Sequence, residues 1–295
     1  MFKIIKNKKL RIFIIVNLIL ILIAFIIVFI FNRLKDNYRS LYKTNDELVT
    51  EEVYYNIFNE LDIETKMTDI YIKQNTENNI KVIVYGEKDY IKLSEKNNKL
   101  FIDINPKNII AFDFYKCISK IELYLPVGYS NLIRIVNEFG NIEIENFENA
   151  TFDIEQEYGN FIGNNVSFVK LVNGYGDVDI KKSIKTRVDA KHGDVTIGDA
   201  NDLIVENEFG DIIVENVFEH LKLYTENGDI KVNNLVLEKD SFIDANYGDI
   251  IIGKTNEIYI NAKTDRGKKK INNNYKKADI ILKIHNKDGN INVEN

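Results

Sequence analysis

The sequence predicts an all-β protein: a single-stranded β-solenoid of about nine two-strand coils, preceded by one N-terminal transmembrane helix. Three observations predict this fold class. An unbroken apolar run lies near the N-terminus, apolar and polar residues alternate from Leu61 onward, and a glycine recurs at nearly regular intervals beyond residue 130. The predicted segments are a cytoplasmic basic N-terminus (1–11), a transmembrane anchor (12–31), a juxtamembrane stalk (32–60) and the solenoid domain (61–295).

Composition excludes several classes of protein. The 295 residues are 45% hydrophobic, which is enough for a sizeable core. The net charge of -6 provides no overall basic field for nucleic acid, so no nucleic-acid partner is expected. The single cysteine, Cys117, cannot form an intramolecular disulfide or a thiol-based zinc site.

The apolar run from Ile12 to Phe31 is interrupted only by Asn17. About 20 residues of helix span about 30 Å, which is enough to cross a bilayer. The run ends in Phe-Asn-Arg without a small-x-small cleavage site, so we expect an uncleaved anchor, with a removed signal peptide as the alternative. Basic residues are slightly more frequent before the helix than after it. This bias favours a single-pass protein of the cell membrane with its C-terminal domain outside the cytoplasm.

Between the anchor and the repeats, two patterns follow each other. Thr44 and Glu47 have the spacing of a capping box, so a short helix or a stalk is expected just after them. From Leu61 the alternation of apolar and polar residues indicates half-buried strands, up to the turn at Pro126-Val127-Gly128.

Beyond residue 130 the chain repeats a unit of 17 to 22 residues centred on a glycine. These glycines are Gly140, Gly159, Gly176, Gly193, Gly210, Gly228, Gly248, Gly267 and Gly289. All except Gly267 are followed by an acid or an amide, namely Asn141, Asn160, Asp177, Asp194, Asp211, Asp229, Asp249 and Asn290. Apolar residues recur five places before the glycine, two places after it except at Lys269, and four places after it except at Gly163.

Each repeat therefore reads as two short strands joined by a glycine turn. Glycine permits the positive φ of a tight turn, and the Asp or Asn can cap backbone N–H groups of its own turn. Such a unit cannot bury its apolar face alone, so neighbouring units must stack into a continuous core. Nine coils at about 4.8 Å make a rod about 40 Å long.

Stacking would place equivalent side chains in files along the rod. The acids of the turn would cap backbone in water, or pairs of them would bind Ca²⁺; we favour capping and expect no metal site. Aromatic residues precede several glycines and form a possible contact file: Phe139, Tyr158, Tyr175, Phe209 and Tyr247. These rings would bind sugar faces or a partner protein, or would only cover the turn and stack on one another. Asn137, Asn173, Asn207 and Asn286, three places before the glycine, suggest interior amide stacking.

No catalytic motif is present, and we expect neither catalytic residues nor a cofactor. The histidines His192, His220 and His285 fall in different repeats, and no nucleophile elbow, phosphate loop or metal-binding pair accompanies them. A carbohydrate-active β-helix enzyme is the minor alternative. It would need acidic and basic residues converging on one face.

The recurring Gly-Asp-Ile/Val units and the segment Ile121-Glu122-Leu123-Tyr124-Leu125-Pro126-Val127-Gly128-Tyr129 resemble a bacterial putative-adhesin family of unknown function. The resemblance covers residues 61–295. It implies a β-solenoid and an envelope-associated role.

The leading interpretation is a non-enzymatic, membrane-anchored envelope protein whose rigid solenoid binds a protein or a cell-wall glycan. The alternative is a regulatory or scaffold component of an envelope-stress or signalling complex in the membrane. We expect the last repeat, around Gly289, to form the open and most mobile end of the rod. Lysines after Gly267 would keep a second copy from pairing there, so the domain is expected to be monomeric.

Overall fold

The computed structural model describes residues 49–86, 91–105 and 119–294, which form one sheet of 19 strands. The predicted basic N-terminus (1–11), the transmembrane anchor (12–31) and the stalk up to residue 48 lie outside the described residues, as does Cys117. Among the residues that are described, no helix has the length and apolar character needed to span a membrane.

The strands follow one another with short connections. They are β1 (Val49–Tyr55), β2 (Glu60–Asn75), β3 (Ile80–Tyr85), β4 (Ile91–Lys96), β5 (Lys99–Ile104), β6 (Ser119–Pro126), β7 (Leu132–Phe139), β8 (Ile142–Tyr158), β9 (Phe161–Tyr175), β10 (Val178–His192), β11 (Val195–Phe209), β12 (Ile212–Asn227), β13 (Ile230–Leu235), β14 (Ser241–Tyr247), β15 (Ile250–Thr255), β16 (Tyr259–Arg266), β17 (Lys269–Ile271), β18 (Ile281–Asp288) and β19 (Ile291–Val293).

The coils are parallel and in register, as the repeat predicts. Val178 of β10 pairs with Val195 of β11, and Val188 pairs with Val205, one repeat apart. Each long strand from β8 to β12 contains the segment after one glycine turn and the segment before the next. The two segments of a coil enclose a shared core, because alternate side chains along both are buried. The predicted all-β solenoid is therefore confirmed.

The core is a stack of aliphatic rows. In the row four places after the glycine, Ile180, Ile197 and Val214 are fully buried, whereas Ile271 of the terminal coil is only partly buried. Gly163 is the exception predicted for this row. A Cβ at Gly163 would lie 3.2 Å from the Phe161 ring, so the missing side chain makes room for that larger neighbour.

The N-terminal end of the stack is built from strands that follow a different order. Strand β2 pairs in parallel with β7 on one side and with β5 and β6 on the other. Antiparallel strands then close this end, with β4 on β5, β3 on β6 and β1 on β3. The helix allowed by the capping box is thus not formed at Val49–Tyr55. Six register partners on β3 hold that segment extended, and long-range pairing overrides a local helix signal.

The C-terminal end departs from sequence order, and the expectation for the last repeat is wrong. Strand β18 pairs with β14 on one side and with β16 on the other, and β19 likewise lies between β15 and β17. The last repeat is therefore inserted into the stack. The preceding repeat, residues 259–271, is displaced outward and forms the terminal coil, which carries Gly267 and the lysines that follow it.

Candidate functional site

The glycine turns stack directly on one another along one corner of the rod. Gly193 has a φ of 125°, and a Cβ there would overlap the carbonyl oxygen of Gly176 in the coil below. The amide of Gly193 donates to the carbonyl of Phe209 at 3.0 Å. Both the positive φ and the close approach exclude larger residues, which explains why glycine recurs here.

The acids and amides after the glycines join neighbouring coils. Each side-chain Oδ1 accepts the backbone N–H of the equivalent residue in the next coil, at 2.7 to 3.0 Å. The series runs through Asp69, Asn141, Asn160, Asp177, Asp194, Asp211, Asp229, Asp249, Asn290 and the amide of Lys268. The prediction that each side chain caps its own turn is therefore wrong. The bonds cross between coils and tie each turn to the next.

An inner row of amides supports the same corner. Asn137, Asn173, Asn207 and Asn286 are buried, and each donates its side-chain N–H to a glycine carbonyl of the turn at 2.8 to 3.2 Å. These residues satisfy carbonyl groups that face the core, where an unbonded polar group costs about 1–3 kcal/mol. Hydrogen bonding to the turn thus gives these amides a role beyond the stacking predicted for them.

Five rings form a stacked column beside the turns, which we call the aromatic file: Phe139, Tyr158, Tyr175, His192 and Phe209. Successive ring centroids lie 4.6 to 4.9 Å apart with interplanar angles of 4° to 11°. Tyr247 was predicted to belong to this column but lies apart from it. Asn227 occupies the intervening coil, and Lys287 instead lies 5.8 Å from the centre of the Tyr247 ring.

The aromatic file presents ring edges rather than ring faces to the outside. Phe139, Tyr158, Tyr175 and Phe209 are 37% to 45% exposed, yet the inner rings have both faces covered by their neighbours. A sugar that packs on an aromatic ring needs a free face, so stacked sugar binding at the inner rings Tyr158, Tyr175 and His192 is excluded. Contact with these rings is limited to their edges, to the two tyrosine hydroxyls and to the ring nitrogens of His192.

The three histidines lie in separate surroundings. His192 is part of the aromatic file. His220 Nδ1 lies 2.7 Å from Asp202, while His285 lies 2.9 Å from Asp244 through Nδ1 and 3.5 Å from Asp265 through Nε2. Within residues 49–86, 91–105 and 119–294, no group of three His, Cys, Asp or Glu side chains is arranged to hold a metal ion.

A polar cluster on the N-terminal strands was not predicted from the sequence. The hydroxyls of Tyr85 and Tyr124 donate to Glu122 Oε2 at 3.0 and 3.2 Å, and Lys120 lies 3.5 Å from the other oxygen. Burial, followed by the bond to Glu122, raises the pKa of Tyr85 to about 12. Burial alone would raise the pKa of Glu122, but the hydrogen bonds and the Lys120 charge outweigh it and the pKa is lowered. This cluster fixes β3 against β6.

An open hollow of about 380 Å³ was not predicted from the sequence either. It lies at the corner of the rod away from the glycine turns. It is lined by Gln74, Val127, Gly128, Tyr129, Asn146, Glu148, Asn149 and Asn165. Asn146 and Asn165 have φ values of 60° and 55°, a backbone shape that Asn adopts more readily than most residues. The Asn residues between strands were the available signal, but only the coil stacking brings them together.

Comparison with known proteins gives one family and several structures. The family model described as Toastrack DUF4097 matches residues 58–295. Comparison with curated proteins gives no match. Among solved structures, a putative adhesin from Bacteroides fragilis is 20% identical, with 83% of this chain and 97% of that chain covered and a TM-score of 0.42. A putative lipid binding protein from Parabacteroides distasonis is 13% identical, with 82% and 95% covered and a TM-score of 0.43. These values are too low to transfer a function.

Proposed function

The chain belongs to the Toastrack DUF4097 family, and from that premise we propose that it is a non-enzymatic, membrane-anchored protein of the cell envelope. Residues 12–31 form the anchor, and the solenoid lies outside the cytoplasm, where it binds a protein or a cell-wall glycan. The observation that carries the proposal is the unbroken series of inter-coil hydrogen bonds from Asp69 to Lys268. Such a series makes a stiff rod suited to holding a contact surface at a distance.

The outer surface of the rod supports binding rather than catalysis. Its polar side chains are arranged in files along the axis, one residue per coil, and each histidine is occupied by a ring or a carboxylate. The edges of the aromatic file offer apolar contact with two hydroxyls, a surface of the kind enriched where proteins meet partners.

Topology is tested on intact cells from which the wall has been removed. With the N-terminus inside, added protease should degrade residues 49–295 while a cytoplasmic marker protein survives. Protection of this region in intact protoplasts, with degradation after lysis, would place the solenoid inside and overturn the proposal.

Binding is tested with the full chain, purified in detergent and incubated with isolated cell envelopes. We expect retention on the envelopes. Prior protease treatment of the envelopes abolishes it for a protein partner and leaves it for a glycan. The double variant Tyr158→Phe with Tyr175→Phe keeps the stacked rings but removes both hydroxyls, and at about 1 kcal/mol for each bond its affinity should fall several-fold. Tyr247→Phe is the matched control, because Tyr247 is an exposed tyrosine that lies outside both the file and the terminal coil. Envelopes that do not retain the chain at all contradict the function.

A further inference from the structure

We propose that the far end of the solenoid binds a polyanion, meaning a polymer whose repeating groups are phosphates or carboxylates. The inference rests on the proposed function, because it gives the envelope-binding rod a second contact surface, distinct from the aromatic file, and names the class of envelope polymer bound there. The surface consists of the terminal coil, residues 259–271, and the loop that follows it, residues 272–280. We call this surface the basic tip.

Charge is strongly segregated along the rod. The basic tip carries six lysines and one arginine against two acids, whereas residues 132–256 carry 24 acids against 11 basic residues. The net charge of -6 therefore conceals a positive end on a negative body. A polyanion is repelled by the flanks, including the aromatic file with its neighbouring acids, and is attracted to the tip.

The topology explains why lysines can occupy this coil. In every inner coil, the residue after the glycine must accept the N–H of the next coil, which requires an Asp or Asn oxygen. Lys268 holds that position in the terminal coil, where its own N–H bonds to Asn290 and where none of the residues that the structure describes forms a further coil. The position is free of the constraint, and so the repeat departs from its pattern at Gly267-Lys268.

Protection of the open edge does not account for all these lysines. The exposed backbone of β16 is partly capped by the chain itself. Asn274 bonds both the N–H and the carbonyl of Ile260, at 2.9 and 2.8 Å, and Lys269 Nζ donates to the Ala262 carbonyl at 2.7 Å. Side chains therefore occupy three of the groups that a second strand would use, and Lys269 is the only lysine of the tip that takes part.

Four lysines of the tip other than Lys269 are available for a ligand. Lys268, Lys270, Lys276 and Lys277 are exposed, and none forms an ion pair with the residues that the structure describes. By contrast, two other basic side chains of the tip are paired, Lys263 with Asp265 at 2.5 Å and Arg266 with Asp288 at 3.1 Å. Lysine is a compact charge on a flexible stem, which suits an irregular polymer better than a single rigid ligand.

The basic tip and the first described strand lie at opposite ends of the stack. β1 closes one end, and the coil that contains β17 forms the other. The two ends lie about 55 Å apart, given about 4.8 Å for each strand spacing.

The test measures binding of the full chain in detergent to long-chain polyphosphate and to polyglutamate. Both polymers should bind, and neutral dextran should not. If four lysines release counterions as they would on a single-stranded polyanion, affinity should fall about 50-fold between 50 and 200 mM salt. The variant Lys268→Glu, Lys270→Glu, Lys276→Glu, Lys277→Glu should lose at least tenfold in affinity for both polymers. The matched control carries Lys181→Glu, Lys182→Glu, Lys191→Glu and Lys231→Glu on exposed lysines of the body; it changes the net charge equally and should lose much less affinity than the tip variant.

Each alternative has its own outcome. Equal loss in both variants would mean that net charge, and not the tip, governs binding, and would overturn the inference. Binding to phosphatidylglycerol vesicles or to duplex DNA with no binding to either polymer would do the same. A tip variant that dimerises in sedimentation but keeps its polymer affinity would assign the lysines to edge protection alone. If envelopes retain the tip variant as well as the native chain, the tip is wrong while the proposed function stands.

Discussion

Replacing Gly193 with alanine tests whether the turns stack as tightly as the geometry indicates. Two effects add at this position. The residue has a positive φ of 125°, and its Cβ would overlap the carbonyl oxygen of Gly176, which belongs to backbone and cannot rotate away. Gly128 provides the matched control, because its φ of 82° is also positive while nothing lies within 4 Å of its Cβ position.

The expected magnitudes follow from these contacts. A left-handed alanine costs about 1–2 kcal/mol, and Gly128→Ala should show only this. Gly193→Ala must in addition separate two coils. This separation weakens the 3.0 Å bond from Asp194 N–H to Asp177, worth about 1 kcal/mol, and the Tyr175–His192 stack, worth about 0.5–1.5 kcal/mol. We therefore expect a total loss of about 2.5–4.5 kcal/mol in the free energy of unfolding for Gly193→Ala.

The assay is urea unfolding of the full chain in detergent, followed by the β signal in circular dichroism. Because stacked repeats can open locally, amide hydrogen exchange should be measured as well. We expect faster exchange in residues 176–210 of Gly193→Ala, with little change near either end of the rod. A free energy of unfolding no lower than that of Gly128→Ala would refute the close stacking of the turns.

Three other predictions address the ends and the acids of the rod. Because the last repeat is inserted, amides of residues 281–293 should exchange more slowly than those of 259–271; the reverse order, measured by mass spectrometry, would restore the sequence-ordered stack. The pKa of Tyr85 is raised to about 12 in the folded state, so its stabilising effect is full below pH 10 and is lost as the pH rises toward 12. The stability difference between the native chain and Tyr85→Phe should shrink over that interval, and a constant difference would contradict the assigned contact. EDTA should leave the melting temperature unchanged, since one oxygen of each turn acid already accepts a backbone N–H; a large rise with Ca²⁺ would show a metal site.

Local regularity explains how much of the fold was predictable. The glycine period, with apolar residues five places before and two and four places after each glycine, specified parallel coils and their register, and the structure has both. Gly163 lacks the apolar side chain that this pattern predicts, and the Phe161 ring occupies the space where that side chain would lie. The capping box at Thr44 and Glu47 allowed a short helix after it, and that helix is not formed at Val49–Tyr55. The box reports a local preference, and this segment is held extended by β3, which is remote in sequence.

For the candidate surfaces, the sequence predicted only which residues would lie in the same file along the rod. The sequence indicated that Phe139, Tyr158, Tyr175 and Phe209 would lie in one column, and the structure brings them together with His192. Stacking of the rings on one another, which covers their faces, was one of the two interpretations that the sequence allowed, and the ring rotamers and coil spacing of the structure select it. Tyr247 was assigned to the same file because its position in the repeat is equivalent, yet Asn227 separates it from Phe209.

By itself, the sequence determined the repeat, the inward rows and the identity of the turn residues, because each follows from constraints within one coil of backbone. Tertiary structure alone decided the order of the coils. All inner coils offer nearly equivalent edges, so the pattern of one repeat cannot state which neighbour it will have. Pairing placed the last repeat between its two predecessors, extended the turn series as Asp249, Asn290 and Lys268, and left the lysine-bearing coil at the end of the rod.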